Sequence, residues 1–291
     1  MPLLGAHMSV AGGLHHAFEH IRQVGGEALQ IFTRNQRQWR AAPVSPEEAE
    51  TFLRAWREIG PTAGGGTKMP VAAHDSYLIN LAGNKPETEQ RSIQALTEEL
   101  VRCQTLQIPW LIMHPGSHLG QGTEAGLKRC SRNLDTALAQ AGDDNRVTIL
   151  LENTAGQGTN LGHRFEELAV IIEASKHPER FGICFDTCHA FAAGYDLRTP
   201  EAYDQTFSTL DQIIGFKRLH FFHLNDATKP LGSRVDRHTH IGQGEIGLEG
   251  FRLLMNDPRF KNHPMVLETD KGPDLTEDIE NLKVLRGLIS K

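Results

Sequence analysis

Short apolar runs recur along the chain. Each is followed by a polar or glycine-rich stretch, then by a segment whose apolar residues fall at three- and four-residue spacing. The runs are Leu3–His7, Ala28–Phe32, Val71–His74, Trp110–His114, Thr148–Glu152, Gly182–Asp186, Leu219–His223 and Met265–Glu268. Their length and their β-branched and aromatic content suit buried strands. The segments between them, for example Pro46–Ile59, Glu87–Leu106, Ala125–Ala141 and Glu201–Ile214, carry the helical period. Strands alternating with helices predict a parallel β/α architecture, and eight of them can close into a (β/α)8 barrel. An open doubly wound sheet is the alternative, but no GxGxxG turn follows the first run.

Length and composition narrow this reading. The chain has 291 residues, and a single domain of that size buries roughly 75% of its unfolded surface. One domain over residues 1–291 is expected. Gly64, Gly65 and Gly66 form the clearest flexible stretch and are too few for an interdomain linker. No apolar run approaches the roughly 18 residues that a membrane span needs. The N-terminus lacks a basic segment followed by an apolar one, so no signal peptide is expected. Cys103, Cys130, Cys184 and Cys188 form no CxxC and read as reduced thiols of a cytoplasmic protein, with Cys184 and Cys188 as packing residues. The net charge of −6 argues mildly against a generic nucleic-acid binder, although a basic rim can sit on an acidic body. The 15 histidines change the picture more, because histidine is the commonest metal ligand.

Several of these histidines stand where strands end. His74, His114, Glu152, Asp186, His223 and Glu268 close six of the eight runs, and barrel active sites are built at the C-terminal ends of the strands. Asp186 and His189 lie about one turn apart. Asp236 and His238 are two apart, so in an extended segment they project to one side and can chelate one ion. Imidazoles and carboxylates without a thiolate set suit zinc, with manganese, iron or cobalt as other possibilities. A pair of ions bridged by carboxylate can activate water and stabilise the leaving oxygen of a phosphodiester. The remaining histidines receive plainer readings. His15, His16, His20, His163, His177 and His263 are expected in solvent. His220 has the opposite strand parity to His223 and should face away. His7 could orient a ligand or substrate, and His118 and His240 are undecided.

The motifs GAHMSVAGG, FTRNQRQW, HDSYLIN, HPGSHLG, LENTAGQG, FDTCHAFAAGYD, FHLNDA, GSRVDRHTHIGQGEIG and LETD, running from residue 5 to residue 270, resemble in content and order those of the endonuclease IV family. The resemblance implies a (β/α)8 barrel with three zinc ions, manganese being possible in part. His74 and His114 would hold the first ion and Glu152 would bridge to the second. Asp186, His223 and Glu268 would complete the second site, and His189, Asp236 and His238 would hold the third. Glu152 and Glu268 are the catalytic carboxylates in this reading. The resemblance also implies hydrolysis of the phosphodiester 5′ to an abasic site in double-stranded DNA, leaving a 3′-hydroxyl and a 5′-deoxyribose phosphate, with trimming of blocked 3′ ends. Arg37 and Gln38 resemble residues that line the distorted duplex, Tyr77 and Leu78 a wedge beside the lesion, and Arg237 a phosphate contact. A missing base lowers the cost of flipping the nucleotide into a barrel mouth. Arg34, Arg37 and Arg40 form a local basic cluster that would otherwise read as a solvated face. A monomer is expected.

The competing reading is a divalent-metal sugar isomerase on the same kind of barrel. The Asp236, His238 and His189 set and the arginine-rich loop after the second strand disfavour it. A non-catalytic metal- or DNA-binding protein fits the mixed carboxylate set less well.

Overall fold

The computed structural model describes residues 1–60 and 68–290; the Gly64–Gly66 stretch lies outside the described residues. In chain order the elements are β1 (Leu3–Met8), α1 (His16–Gln23), β2 (Ala28–Phe32), α2 (Pro46–Ile59), β3 (Val71–His74), α3 (Pro86–Thr105), β4 (Trp110–Met113), α4 (Thr123–Ala141), β5 (Thr148–Glu152), α5 (Phe165–Ala174) and β6 (Phe181–Asp186). There follow α6 (Thr187–Ala193), α7 (Pro200–Ile213), β7 (Leu219–His223), the two-residue strands β8 (Asp226–Ala227) and β9 (His238–Thr239), α8 (Gly247–Met255), β10 (Pro264–Leu267) and α9 (Thr276–Gly287). Eight strands close in the order β1-β10-β7-β6-β5-β4-β3-β2, every pair parallel. This is a single-domain TIM barrel, as the strand–helix alternation predicts. β8 and β9 pair antiparallel above it.

Local chemistry sets the helix ends. Ser45 caps α2, its Oγ accepting from the Glu48 amide at 3.1 Å, with Pro46 in the first turn. Thr199 and Pro200 start α7 in the same way. The Asp186 carboxylate caps α6 by accepting from the His189 amide at 2.7 Å, so one side chain both ends a strand and opens a helix.

Both faces of the strands are buried, as a wholly parallel sheet requires. Outward positions pack under the helices with Phe18, Phe52, Trp56, Phe165, Phe207 and Phe260. Inward positions form a separate plug of Leu3, Ala28, Ala72, Ile112, Leu150, Cys184, Phe221 and Val266. Gly5 permits the close approach of β1 to β2, since a Cβ there would lie 1.7 Å from the Ala28 carbonyl oxygen.

Candidate metal centre

Directly above the apolar plug the inward positions turn polar. His74, Glu152, Asp186 and His223 end their strands, while His114 and Glu268 are the first residues beyond β4 and β10. His189 comes from the first turn of α6, Asp236 from the segment leading into β9 and His238 from the first position of β9. Glu152 is the hub. Its Oε2 lies 3.2 Å from His74 Nε2 and 3.1 Å from His114 Nε2. Its Oε1 lies 3.1 Å from His223 Nδ1 and 3.0 Å from His189 Nδ1. His223 Nδ1 is also 3.2 Å from Glu268 Oε2 and 3.8 Å from Asp186 Oδ2. On the outer side, Asp236 lies 3.3 Å from His189 Nε2 and 3.4 Å from His238 Nε2.

Donor atoms therefore gather in three sets, each within 4.8 Å and the first two sharing Glu152: His74, His114 and Glu152; Glu152, Asp186, His223 and Glu268; His189, Asp236 and His238. A fourth set joins Asp186 and His238 with Cys188. Burial pushes the Cys188 thiol up to about 12, and Sγ donates to the Arg237 carbonyl at 3.6 Å.

The electrostatics call for cations. Burial opposes charge on Glu152, yet His223 and His114 hold its carboxyl well below the usual range. Burial likewise opposes charge on His74, but the Glu152 carboxylate, with Glu268 and Asp75, holds its pKa up to about 10. Burial would raise Asp236, and the hydrogen bond from His189 together with the His238 and His114 charges holds it down to about 2. Carboxylates this deep are costly unless paired. Protons on the imidazoles or divalent cations can meet the demand. The buried His238 Nε2 has no hydrogen-bond partner, which fits a nitrogen meant for a cation. The donor set thus suits bound metal.

A second set of side chains aims these donors. Buried Gln30 donates to Glu268 Oε1 at 2.5 Å, and its own oxygen lies 2.7 Å from His223 Nε2. Asn225 donates to Asp186 Oδ2 at 2.7 Å and accepts from the Glu268 amide at 2.9 Å. Asn153 accepts from the Asp186 amide at 2.8 Å. Sequence reasoning missed all three. The available signals were a lone glutamine inside the apolar run 28–32 and asparagines just after Glu152 and His223. Such partners fix ligand orientation and basicity.

Other candidates divide. His7 stands beside the site, its Nδ1 2.9 Å from Gln30 Nε2 and 3.7 Å from Glu268 Oε1. His118 accepts from the Gly122 amide and His240 meets Asn281, both outside the donor sets. His220 stays out of the donor sets, but a bulge rather than strand parity sets its direction. β6 and β7 slip register between Ile183 and Cys184, pairing Leu219 and then Phe221. This bulge turns the His220 ring toward Trp110 and into the space that a Gly182 Cβ would fill. Of the histidines expected in solvent, only His177 is exposed. His263 is half-buried with Nε2 3.0 Å from the Leu219 carbonyl, and His163 sits 3.2 Å from Glu167.

Arg34 also departs from the expected basic cluster. It is buried, with Nε 2.8 Å from Glu99, while Arg37 and Arg40 are exposed. Gln38 is exposed beside Arg37. Tyr77 is 65% exposed, its ring 5.7 Å from Phe32 and 6.0 Å from His74. Leu78 is half-buried beside it, and Arg237 is exposed next to Asp236. A groove of about 820 Å³ is lined by residues including His7, Phe32, Arg37 and Lys271, and His7 joins it to the edge of the site through Gln30.

A family model described as xylose isomerase-like TIM barrel matches residues 18–287. A protein of Chloroflexus aurantiacus named "Probable endonuclease 4" is 53% identical over 289 residues, covering 99% of both chains. The chain belongs to the endonuclease IV family. The crystal structure of endonuclease IV from Thermus thermophilus matches with a TM-score of 0.85 at 38% identity, covering 99% of this chain and 98% of that one. A D-tagatose 3-epimerase-like protein matches with a TM-score of 0.73 at 18% identity, covering 98% of this chain and 96% of that one, and shares the fold alone. The endonuclease IV family is metal-dependent, and the His, Asp and Glu clusters of this member could bind metal. Among the described residues no helix is long and apolar enough to cross a membrane.

Proposed function

We propose that this member of the endonuclease IV family is a DNA-repair endonuclease that hydrolyses the phosphodiester 5′ to an abasic site. It leaves a 3′-hydroxyl and a 5′-deoxyribose phosphate, and it also trims blocked 3′ ends. The observation that carries the reading is the gathering of nine imidazoles and carboxylates with Glu152 at their hub in a chain 53% identical to a relative named as an endonuclease 4. Three zinc ions, with manganese possible in part, would be held by His74, His114 and Glu152, by Glu152, Asp186, His223 and Glu268, and by His189, Asp236 and His238. When bound, such ions supply Lewis-acid stabilisation of charge on phosphodiester oxygens and make water a nucleophile at neutral pH.

The side chains do the rest. Glu152 ties the first two donor sets together, and Glu268 is more exposed than Glu152. These are the catalytic carboxylates, and Gln30 and Asn225 hold Glu268 in place. Tyr77 and Leu78 fill the stack opened at the lesion, Arg37 and Gln38 brace the distorted duplex, and Arg237 meets a phosphate. The chain works as one domain over residues 1–291, as a cytoplasmic monomer.

The test is cleavage of a duplex with one abasic site, beside an intact duplex and a ketose, with metal analysis of the same preparation. A single cut 5′ to the lesion and about three metals per chain, mostly zinc, are expected. Isomerised ketose with uncut DNA would sink the reading, and a fully active preparation with no more than one metal per chain would sink the ligand assignment.

A further inference from the structure

The loop between β2 and α2, residues 33–45, has no helix or strand and carries Arg37 and Gln38 at its exposed turn. Beneath it lies a buried polar network supplied by α3. Glu99, its side chain 1% exposed, accepts from Arg34 Nε at 2.8 Å and from the Thr33 hydroxyl. Arg102 Nε donates to Thr33 Oγ1 at 3.0 Å, and its two terminal nitrogens donate to the carbonyls of Thr33 and of Ala42, the latter at 2.5 Å. Arg34 Nη1 reaches Glu98 at 3.1 Å and the Trp39 carbonyl at 3.4 Å. Ser76 Oγ donates to the Gln36 carbonyl at 2.7 Å, which ties the same loop to the Tyr77 segment.

These bonds end on loop carbonyls at both flanks of the turn. They are not needed to dock α3, whose Leu96, Leu100 and Cys103 already sit in the apolar core. A planar guanidinium fork suits the task, because it grips two acceptors at a fixed angle. The buried Glu99 carboxyl lies between Arg34 and the Thr33 hydroxyl that Arg102 grips, so it joins the two arginines in one network. Burial pushes its pKa up, opposed by the guanidinium of Arg34 and the Thr33 hydrogen bond.

We propose that Glu99, acting through Arg34 and Arg102, is a positioning residue for DNA engagement. It holds the Arg37–Gln38 turn against the groove and in fixed relation to Tyr77. The inference rests on the reading of Arg37 and Gln38 as DNA contacts.

The test compares wild type, Glu99→Gln, Arg102→Lys, Arg37→Ala and the Glu99→Gln/Arg37→Ala double variant on an abasic duplex. Glu99→Gln keeps the shape and removes the charge. Arg102→Lys keeps the charge and removes the fork, so it carries the test if Glu99→Gln fails to fold. Each should raise KM about 10-fold, with kcat within about twofold of wild type. Metal content and far-ultraviolet circular dichroism should stay at wild-type values. Arg37→Ala should cost much less in the Glu99→Gln background than alone, because a displaced arginine has little left to lose. Unchanged KM in the folded variants overturns the proposal, as does full additivity with Arg37→Ala, or loss of kcat together with metal. Wild type that leaves abasic DNA uncut overturns the proposed function and this inference together; wild type that cuts while the variants match it overturns the inference alone.

Discussion

Two adjacent layers inside the barrel, built from the same strands, have opposite chemistry. The lower layer is Ala28, Ala72, Ile112, Leu150, Cys184, Phe221 and Val266. Two residues further along the same strands stand Gln30, His74, His114, Glu152, Asp186, His223 and Glu268. Because side chains alternate across a strand, each pair points into the same interior. The lower layer is apolar and fills the barrel, and water is excluded from beneath the upper one. Charges packed over such a floor interact more strongly than charges in solvent. The third donor set differs again. Asp236 and His238 come from the loop after β7, and Asp236 is 45% exposed against 0% for Asp186 and His223. The barrel strands and their ends thus supply the first two donor sets, while the outer set joins buried His189 of α6 to Asp236 and His238 of the region after β7, with Asp236 the donor most open to solvent.

If the two layers have separate duties, they should fail separately. Ile112→Ala empties part of the floor and should cost about 2–5 kcal/mol of stability, measured by denaturant unfolding. At low temperature the folded variant should keep its metal content and its turnover on abasic DNA. Loss of metal without loss of stability would mean that the floor shapes the donors rather than the fold.

Glu152→Gln is the converse. It removes charge from the hub while leaving the floor and the side-chain volume unchanged. Cleavage of abasic DNA should fall roughly 10²–10³-fold, with metal depleted and far-ultraviolet circular dichroism near wild type. A variant that cuts at the wild-type rate would show that the upper layer does not depend on this carboxylate.

Tyr77→Ala removes no member of either layer, since the ring stands beside His74 at the rim and is largely exposed. Base–aromatic stacking is worth about 1–3 kcal/mol, so affinity for an abasic duplex should fall about 5- to 150-fold at fixed salt. The intact duplex should lose less, and the salt dependence should hold because no cationic group is removed. Titration of both duplexes at two salt concentrations reads this. Equal weakening on both would make Tyr77 a support for its loop, and loss of metal would assign it to the shell around His74.

Much of this was legible in one dimension. The β2, β3, β5 and β7 runs lie where the apolar pattern put them, and β1, β4, β6 and β10 differ by a residue or so at an end, because strand length and side-chain alternation are local properties. The clustering of strand-end donors was also legible, since parallel strands in a barrel must end on one rim. What escaped depended on contacts between distant segments. Arg34 looked like part of a solvated cluster with Arg37 and Arg40, and Glu99, 65 residues away, with Glu98 and the Ala95 carbonyl of the same helix takes it into the interior. Gln30 became an orienting residue only when closure of the barrel brought Glu268, 238 residues away, against it. His220 obeyed a bulge rather than its parity, and a bulge belongs to the pairing of β6 with β7, not to either strand. The sequence by itself determined the alternation of elements, the apolar interior and the residue types at the rim, because these follow from periodicities within a few residues. The tertiary structure alone decided which donors share an ion-sized space, which polar side chains aim them and which arginine reaches solvent, because each depends on partners that the chain brings together only when the barrel closes.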